Sequence, residues 1–247
     1  MLFLENKKNL KTVLVLSIIG ICLLFWTCLK HSPDHRDEAR IEYEKKQAYY
    51  DKKYANEPEP PEPISRLLTL LEKCVGGQYV IGGQGDRITC QFLKNKQKER
   101  PGAFSEEQMK YLSGIAYDAE KSGWRFPYHY AWDCSGLWWW GCNELGLYPK
   151  TTDGTAYITY YLYCTPISKD DLRPGDLVFY QNKDNYIVHM GIVGRKGYIF
   201  ESVGVFGGVV KRRTLDERVY DDKANGGNMK RPSWNAFGRP KIFEKLQ

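Results

Sequence analysis

The chain is poor in histidine, with four in 247 residues, and none of its seven cysteines forms a Cys-x-x-Cys pair. A zinc cluster needs thiolate and imidazole ligands at close spacing, so a zinc-cluster domain is not expected, and the chemistry read below requires no metal or other cofactor. The glycines Gly82, Gly83 and Gly85 are not followed by Gly-Lys-Ser/Thr, which argues against a phosphate loop. No nucleic-acid motif accompanies Lys211-Arg212-Arg213, the only dense basic cluster, and a solvated strand end explains it at least as well. Nucleic acid is therefore not an expected partner. One stretch lacks charge altogether: Thr12 to Leu29 is rich in Leu, Ile and Val.

At about 1.5 Å per helical residue that stretch spans roughly 27 Å, close to a hydrocarbon core of about 30 Å. A cleaved signal wants small residues at its cut site, and a lipoprotein signal ending at Cys28 would carry a small residue where Trp26 stands. The sequence thus predicts a retained signal anchor over 12–29 behind a short segment 1–11, with lipoprotein and secreted forms less favoured. Basic residues flank the run on both sides, so the charge rule does not set its orientation. Residues 30–63 are charged and end in Glu57-Pro58-Glu59-Pro60-Pro61-Glu62-Pro63, the composition of an extended, semi-rigid stalk. Residues 64–247 then read as one globular domain. At 42% hydrophobic and 14% aromatic the chain can bury a core, which excludes a wholly disordered protein. Acids and bases balance at ten each in residues 1–63. The net charge of +6 therefore lies in the domain, 26 bases against 20 acids, and favours an anionic partner such as an envelope polymer.

Five cysteines fall in the domain, an odd number, so at least one has no partner within it. Their disulfide state is open at Cys74, Cys90, Cys142 and Cys164. Cys134 has the best setting for chemistry. Asp133-Cys134-Ser135-Gly136-Leu137 opens a helix-like stretch through Leu145, with Asp133 as N-cap and Gly146 as stop. The free N–H groups and dipole of a first helical turn favour a thiolate, lowering its pKa to roughly 3.5–7.5, and can hold an oxyanion. A thiolate nucleophile needs a base that later returns a proton, and histidine is the usual choice. His31 and His35 lie in the stalk. His129 sits on an aromatic segment and reads as a surface or hydrogen-bonded residue. His189 lies in the strand-like Tyr186–Val193, and the turn Gly194-Arg195-Lys196-Gly197 brings Glu201 opposite or diagonal to it.

Together, Asp133-Cys134-Ser135-Gly136-Leu137, Leu172-Arg173-Pro174-Gly175-Asp176-Leu177-Val178-Phe179-Tyr180 and His189-Met190-Gly191-Ile192-Val193 with Glu201 resemble the NlpC/P60 cysteine peptidases. Gly77-Gln78-Tyr79-Val80-Ile81-Gly82-Gly83 is similar to a further element of that family, whose Tyr approaches nucleophile and substrate. The resemblance implies an α+β, papain-like domain in which a nucleophile helix packs on an antiparallel sheet. It assigns catalysis to Cys134, His189 and Glu201, and substrate binding or support to Tyr79, Asp133 and Ser135. Thr151, Thr152 and Thr155 fall in its cleft-lining segment, and Asp176 reads as a turn acceptor.

The implied activity is a murein endopeptidase: a membrane-anchored cysteine hydrolase cutting amide bonds in peptidoglycan stem peptides, outside the cytoplasm in a bacterial cell envelope. The implied partners are peptidoglycan peptides and the membrane around the N-terminal helix. A cysteine amidase, esterase or acyltransferase on another acyl group, or a non-catalytic wall-binding module, fits the same residues. One departure from the family is an insertion over about 84–132, with basic Lys94–Arg100, a helix-like Ser105–Lys121 and aromatic Trp124, Phe126, Tyr128, Tyr130 and Trp132. It reads equally as a substrate-shaping lid or as a structural flap.

Overall fold

The structure, a computed structural model, describes residues 45, 48–149, 152–204, 207–213, 219–222, 227–230 and 234–246. All that follows concerns the unit Tyr50–Gln247. The expected anchor over 12–29, His31, His35 and Thr151 lie outside the described residues. Among the described residues no helix is long and apolar enough to cross a membrane.

Helix α1 (Ile64–Cys74) places Ile64, Leu67, Leu68, Leu71 and Cys74 on one stripe, and all five are buried. That is the amphipathic spacing of a helix lying on a core. Burying each large aliphatic side chain there contributes roughly 1.5–3 kcal/mol. The stripe meets α4 (Cys134–Glu144) at Gly141, where a Cβ would press on Leu67 Cδ1. Between these helices run β1 (Gln78–Tyr79), β2 (Gln84–Arg87), α2 (Cys90–Glu99), α3 (Glu106–Ser122) and β3 (Tyr130–Trp132). The three strands form a small sheet in the order β1-β3-β2. The insertion is therefore folded: Val80, Ile88, Leu93, Leu112, Ile115, Ala116 and Ala131 make a core of their own. Helix α3 starts on a capping box between Ser105 and Gln108.

After α4 come α5 (Ala156–Tyr163), β4 (Cys164–Pro166), β5 (Leu177–Gln181), β6 (Ile187–Val193), β7 (Tyr198–Val203), β8 (Gly208–Arg213), the hairpin β9 (Val219–Asp222) and β10 (Gly227–Lys230), and β11 (Ala236–Pro240). Six of these strands form a wholly antiparallel sheet in the order β4-β11-β5-β6-β7-β8. Alternation along the strands divides its two faces. Leu177, Phe179, Met190, Ile192 and Phe200 join the main core with α1 and α4, whereas Val178, Val193 and Ile199 pack with Trp234 on the other side. The fold is thus α+β with a helix packed on an antiparallel sheet, as expected.

The last residues of the expected stalk lie against this domain. Arg195, in the β6–β7 turn, donates to Glu59 Oε1 (Nε 2.8 Å, Nη2 2.5 Å) and from Nη2 to Ser65 O (2.9 Å). The Lys196 N–H donates to Glu57. Lys211 pairs with Glu72 at 2.6 Å and covers the Tyr198 ring.

Candidate active site

Strand β3 delivers the chain into α4 through Asp133, an extended residue whose carboxylate caps the helix. Its Oδ1 accepts the Gly136 N–H (2.6 Å) and the Ser135 hydroxyl (3.1 Å), and its Oδ2 accepts the Gly82 N–H (2.8 Å). The Asp133 N–H donates to Gly83 O at 2.9 Å. A side chain at Gly136 would collide with that same carbonyl oxygen. The Gly82-Gly83 element is in this way clamped to the start of α4, next to Cys134. The helix stops where expected, with Gly146 at φ +68°. It is buried nearly all round rather than on a single face. Trp138 and Trp139 lie in the core, and the Trp139 indole N–H donates to Thr159 Oγ1 (3.0 Å).

His189 and Glu201 meet directly, with Nε2 and Oε2 2.9 Å apart. Strands β6 and β7 pair through Ile192↔Phe200 and Val193↔Ile199, a register that sets Glu201 diagonally across from His189 on the same face. Glu201 is buried. Beyond Ile192 the β6–β7 ladder stops, and β6 carries an extra residue, Val188, in a bulge against β5. Bulges re-aim neighbouring side chains. Trp234 lies flat on the imidazole, with centroids 5.5 Å apart and planes 10° apart. Gly191 makes room for it, since a Cβ there would sit 3.2 Å from the indole and 3.0 Å from Phe200 O. Sequence reasoning missed Trp234. The available signal was Gly191, an isolated strand glycine, which marks a close approach. His189 Nδ1 makes no hydrogen bond among the described residues.

Cys134 packs against the main core, and the backbone N–H groups of Met190, Ser135 and Cys134 itself face its sulfur. Met190 follows His189, so the thiol reaches β6 one residue from the imidazole, where the β6–β7 ladder has ended. The expected depression of the thiol pKa is not found. Burial pushes it up to about 12, the Asp133 charge adds to the rise, and the three N–H groups only partly oppose it. The first-turn argument omitted desolvation, which disfavours the charged form.

Tyr79, half-buried on β1, pairs with Trp132 of β3 and stands beside Gly204 at the end of β7. His129 is buried and fully hydrogen-bonded: Nδ1 accepts the Arg125 N–H (2.9 Å) and Nε2 meets Asp118 Oδ2 (2.9 Å). Thr155 caps α5, and Thr152 O accepts from Asn143. Asp176 accepts the Arg173 N–H (2.8 Å), as its turn predicts, and also a two-pronged pair from Arg239 at 2.9 Å. Burial raises its carboxyl pKa against the pull of Arg239. Cys74, Cys90, Cys134, Cys142 and Cys164 are free thiols.

Residues 120–228 match the model of the NlpC/P60 family. No curated protein matches the chain. Among solved structures, NlpC1 from Trichomonas vaginalis is 15% identical over 72% of this chain, with a TM-score of 0.42. The chain spans 43% of NlpC1 and 49% of the second Trichomonas protein, NlpC2. The P60 domain of antigen MAP1204 from M. avium subspecies paratuberculosis is 17% identical, covering 72% of this chain and 94% of its own, at a TM-score of 0.40. The peptidoglycan hydrolase RipB from Mycobacterium tuberculosis is 14% identical, covering 72% and 82%, at 0.31.

Proposed function

From the match of residues 120–228 to the NlpC/P60 family, we propose that this chain is a member of that family and a cysteine hydrolase that cuts amide bonds in peptidoglycan stem peptides through Cys134, His189 and Glu201. One observation carries the reading. Glu201 holds Nε2 of His189 at 2.9 Å and leaves Nδ1 unclaimed among the described residues, one residue from the Met190 N–H that faces the Cys134 sulfur.

In this reading the resting sulfur is protonated, because burial pushes the thiol pKa up. His189 Nδ1 takes the thiol proton as the sulfur attacks the amide carbonyl. The new S–C bond leaves an oxyanion that backbone N–H groups at the start of α4 stabilise. The C–N bond then breaks, and the imidazolium returns its proton to the departing amine. Water adds to the thioester, giving one proton to His189 and releasing the carboxylic acid, after which the thiol is restored. Glu201, buried, fixes the tautomer with Nε2–H and stabilises the imidazolium. Tyr79, on β1 beside Gly204 at the end of β7, belongs to the substrate side. The apolar run at 12–29 anchors the chain in a bacterial membrane, with the domain outside the cytoplasm, where the wall polymer lies.

Mass spectrometry of a defined muropeptide mixture incubated with the protein tests this. Hydrolysis of one stem-peptide amide is expected, and its loss, at least about 10³-fold, in Cys134→Ala and His189→Ala. An untouched mixture alongside consumption of a model ester would give the site to another acyl substrate.

A further inference from the structure

The insertion ends in a segment that holds aromatic rings outward. Trp124, Phe126 and Tyr128, at alternate positions between α3 and β3, are all exposed. Large exposed rings on a floppy loop would signify little, but this loop is pinned. His129 bonds the Arg125 N–H through Nδ1 and Asp118 through Nε2, the Tyr130 N–H reaches Pro127 O at 2.9 Å, and Gln78 Nε2 holds Tyr128 O at 3.1 Å. Guanidinium groups flank the rings. Arg87 lies 5.2 Å over Trp124 and Arg125 lies 5.1 Å over Tyr128. Phe126 continues inward onto Tyr130 at 5.0 Å and Trp132 at 5.8 Å, and Trp132 stands two residues before Cys134.

Resting on the reading of this protein as a stem-peptide hydrolase, we infer that Trp124, Phe126 and Tyr128 form a saccharide subsite that binds the amino-sugar part of a glycan-linked peptide. An aromatic face carries partial negative charge and attracts the C–H bonds on the flat side of a pyranose. The arginine N–H groups donate to hydroxyl and acetamido oxygens. A single-stranded nucleic acid also stacks on aromatic rings, but it needs a positive groove along its backbone. Here the Arg125 charge is already taken by Asp118. The reach also fits. At about 3.3 Å per residue, β3 sets Tyr130 about 13 Å from Cys134, which three or four extended peptide residues bridge.

The test compares the full-length protein on a free stem peptide and on the same peptide carrying its disaccharide. The native chain should favour the sugar-bearing substrate at least about fivefold in kcat/KM. Trp124→Ala with Phe126→Ala should erase that preference by raising KM for the sugar-bearing substrate, leaving turnover of the free peptide unchanged and so showing that the variant folds. Equal use of both substrates by the native chain, or a preference that survives in the variant, overturns the subsite while leaving the hydrolase reading intact. If the native chain cuts neither substrate, the hydrolase reading fails, and titration of tryptophan fluorescence with an N-acetylglucosamine oligosaccharide decides the subsite alone. Saturable quenching lost in Trp124→Ala supports it. No response, or a response only to single-stranded DNA, overturns it.

Discussion

Two histidines in this domain each sit 2.9 Å from a carboxylate, and they are built in opposite ways. In the insertion, the imidazole of His129 is 0% exposed and its partner Asp118 is 36% exposed. On the sheet, the imidazole of His189 is 12% exposed and Glu201 only 1%. His129 spends both nitrogens within the insertion, on the Arg125 N–H and on Asp118 of α3. His189 spends one, keeps the other open among the described residues, and has an indole across its face. A buried acceptor with an accessible ring makes a proton carrier, whereas a buried ring with an accessible acceptor makes a bracket. The bond length alone distinguishes nothing.

Breaking each bond should expose this difference. Glu201→Gln keeps the shape but removes the charge that stabilises imidazolium, and kcat should fall about 10²-fold or more. Asp118→Asn should leave kcat within twofold and lower stability. Steady-state kinetics and urea unfolding on both variants read this directly, and equal kinetic losses would erase the distinction.

Reactivity of the thiol sharpens the same contrast. With its pKa pushed up to about 12 by burial, Cys134 on its own would be thiolate at roughly one part in 10⁴ at pH 8. The sign is that of a group favoured in its protonated form: the reactive species grows only as pH rises. In His189→Ala, iodoacetamide labelling of Cys134 should climb nearly tenfold per pH unit past pH 10. In the native chain and in Asp118→Asn, labelling at neutral pH should be faster than in His189→Ala, because Nδ1 can accept the proton as the sulfur reacts.

A smaller effect is expected at Trp234. Replacing it by Ala should cost about 3 kcal/mol in stability and roughly tenfold in kcat, with Trp234→Phe restoring most of the rate. If the loss were purely structural, kcat per folded molecule would not move. The smallest effect concerns the exposed contact between Glu59 and Arg195. Glu59→Gln should lower stability by less than about 1 kcal/mol, read as a shift of a few degrees in Tm.

The parts of this site that were legible in the sequence are those set by neighbours along the chain. Asp133 as cap and Gly146 as stop follow from local spacing, which also brings Glu201 opposite or diagonal to His189 without fixing the register; the structure has the cap and the stop and sets the diagonal. What lay beyond reach depends on distant packing. Trp234 is 45 residues from the ring it covers. The insertion's own core joins Val80 and Ala131 to α2 and α3, and β11 enters between β4 and β5 from the far end of the domain. The thiol's acidity was misjudged for the same reason. Helix position is visible in a sequence, whereas the surroundings that strip water from a sulfur are supplied by a core gathered from distant parts of the chain.

The grip of Arg195 on Glu59 has a mechanical side. The turn that it occupies joins the two strands carrying His189 and Glu201. A pull along the polypeptide from the Glu57–Pro63 direction is therefore delivered to the hairpin that holds His189 and Glu201 before it reaches α1, with Arg195 as its fulcrum.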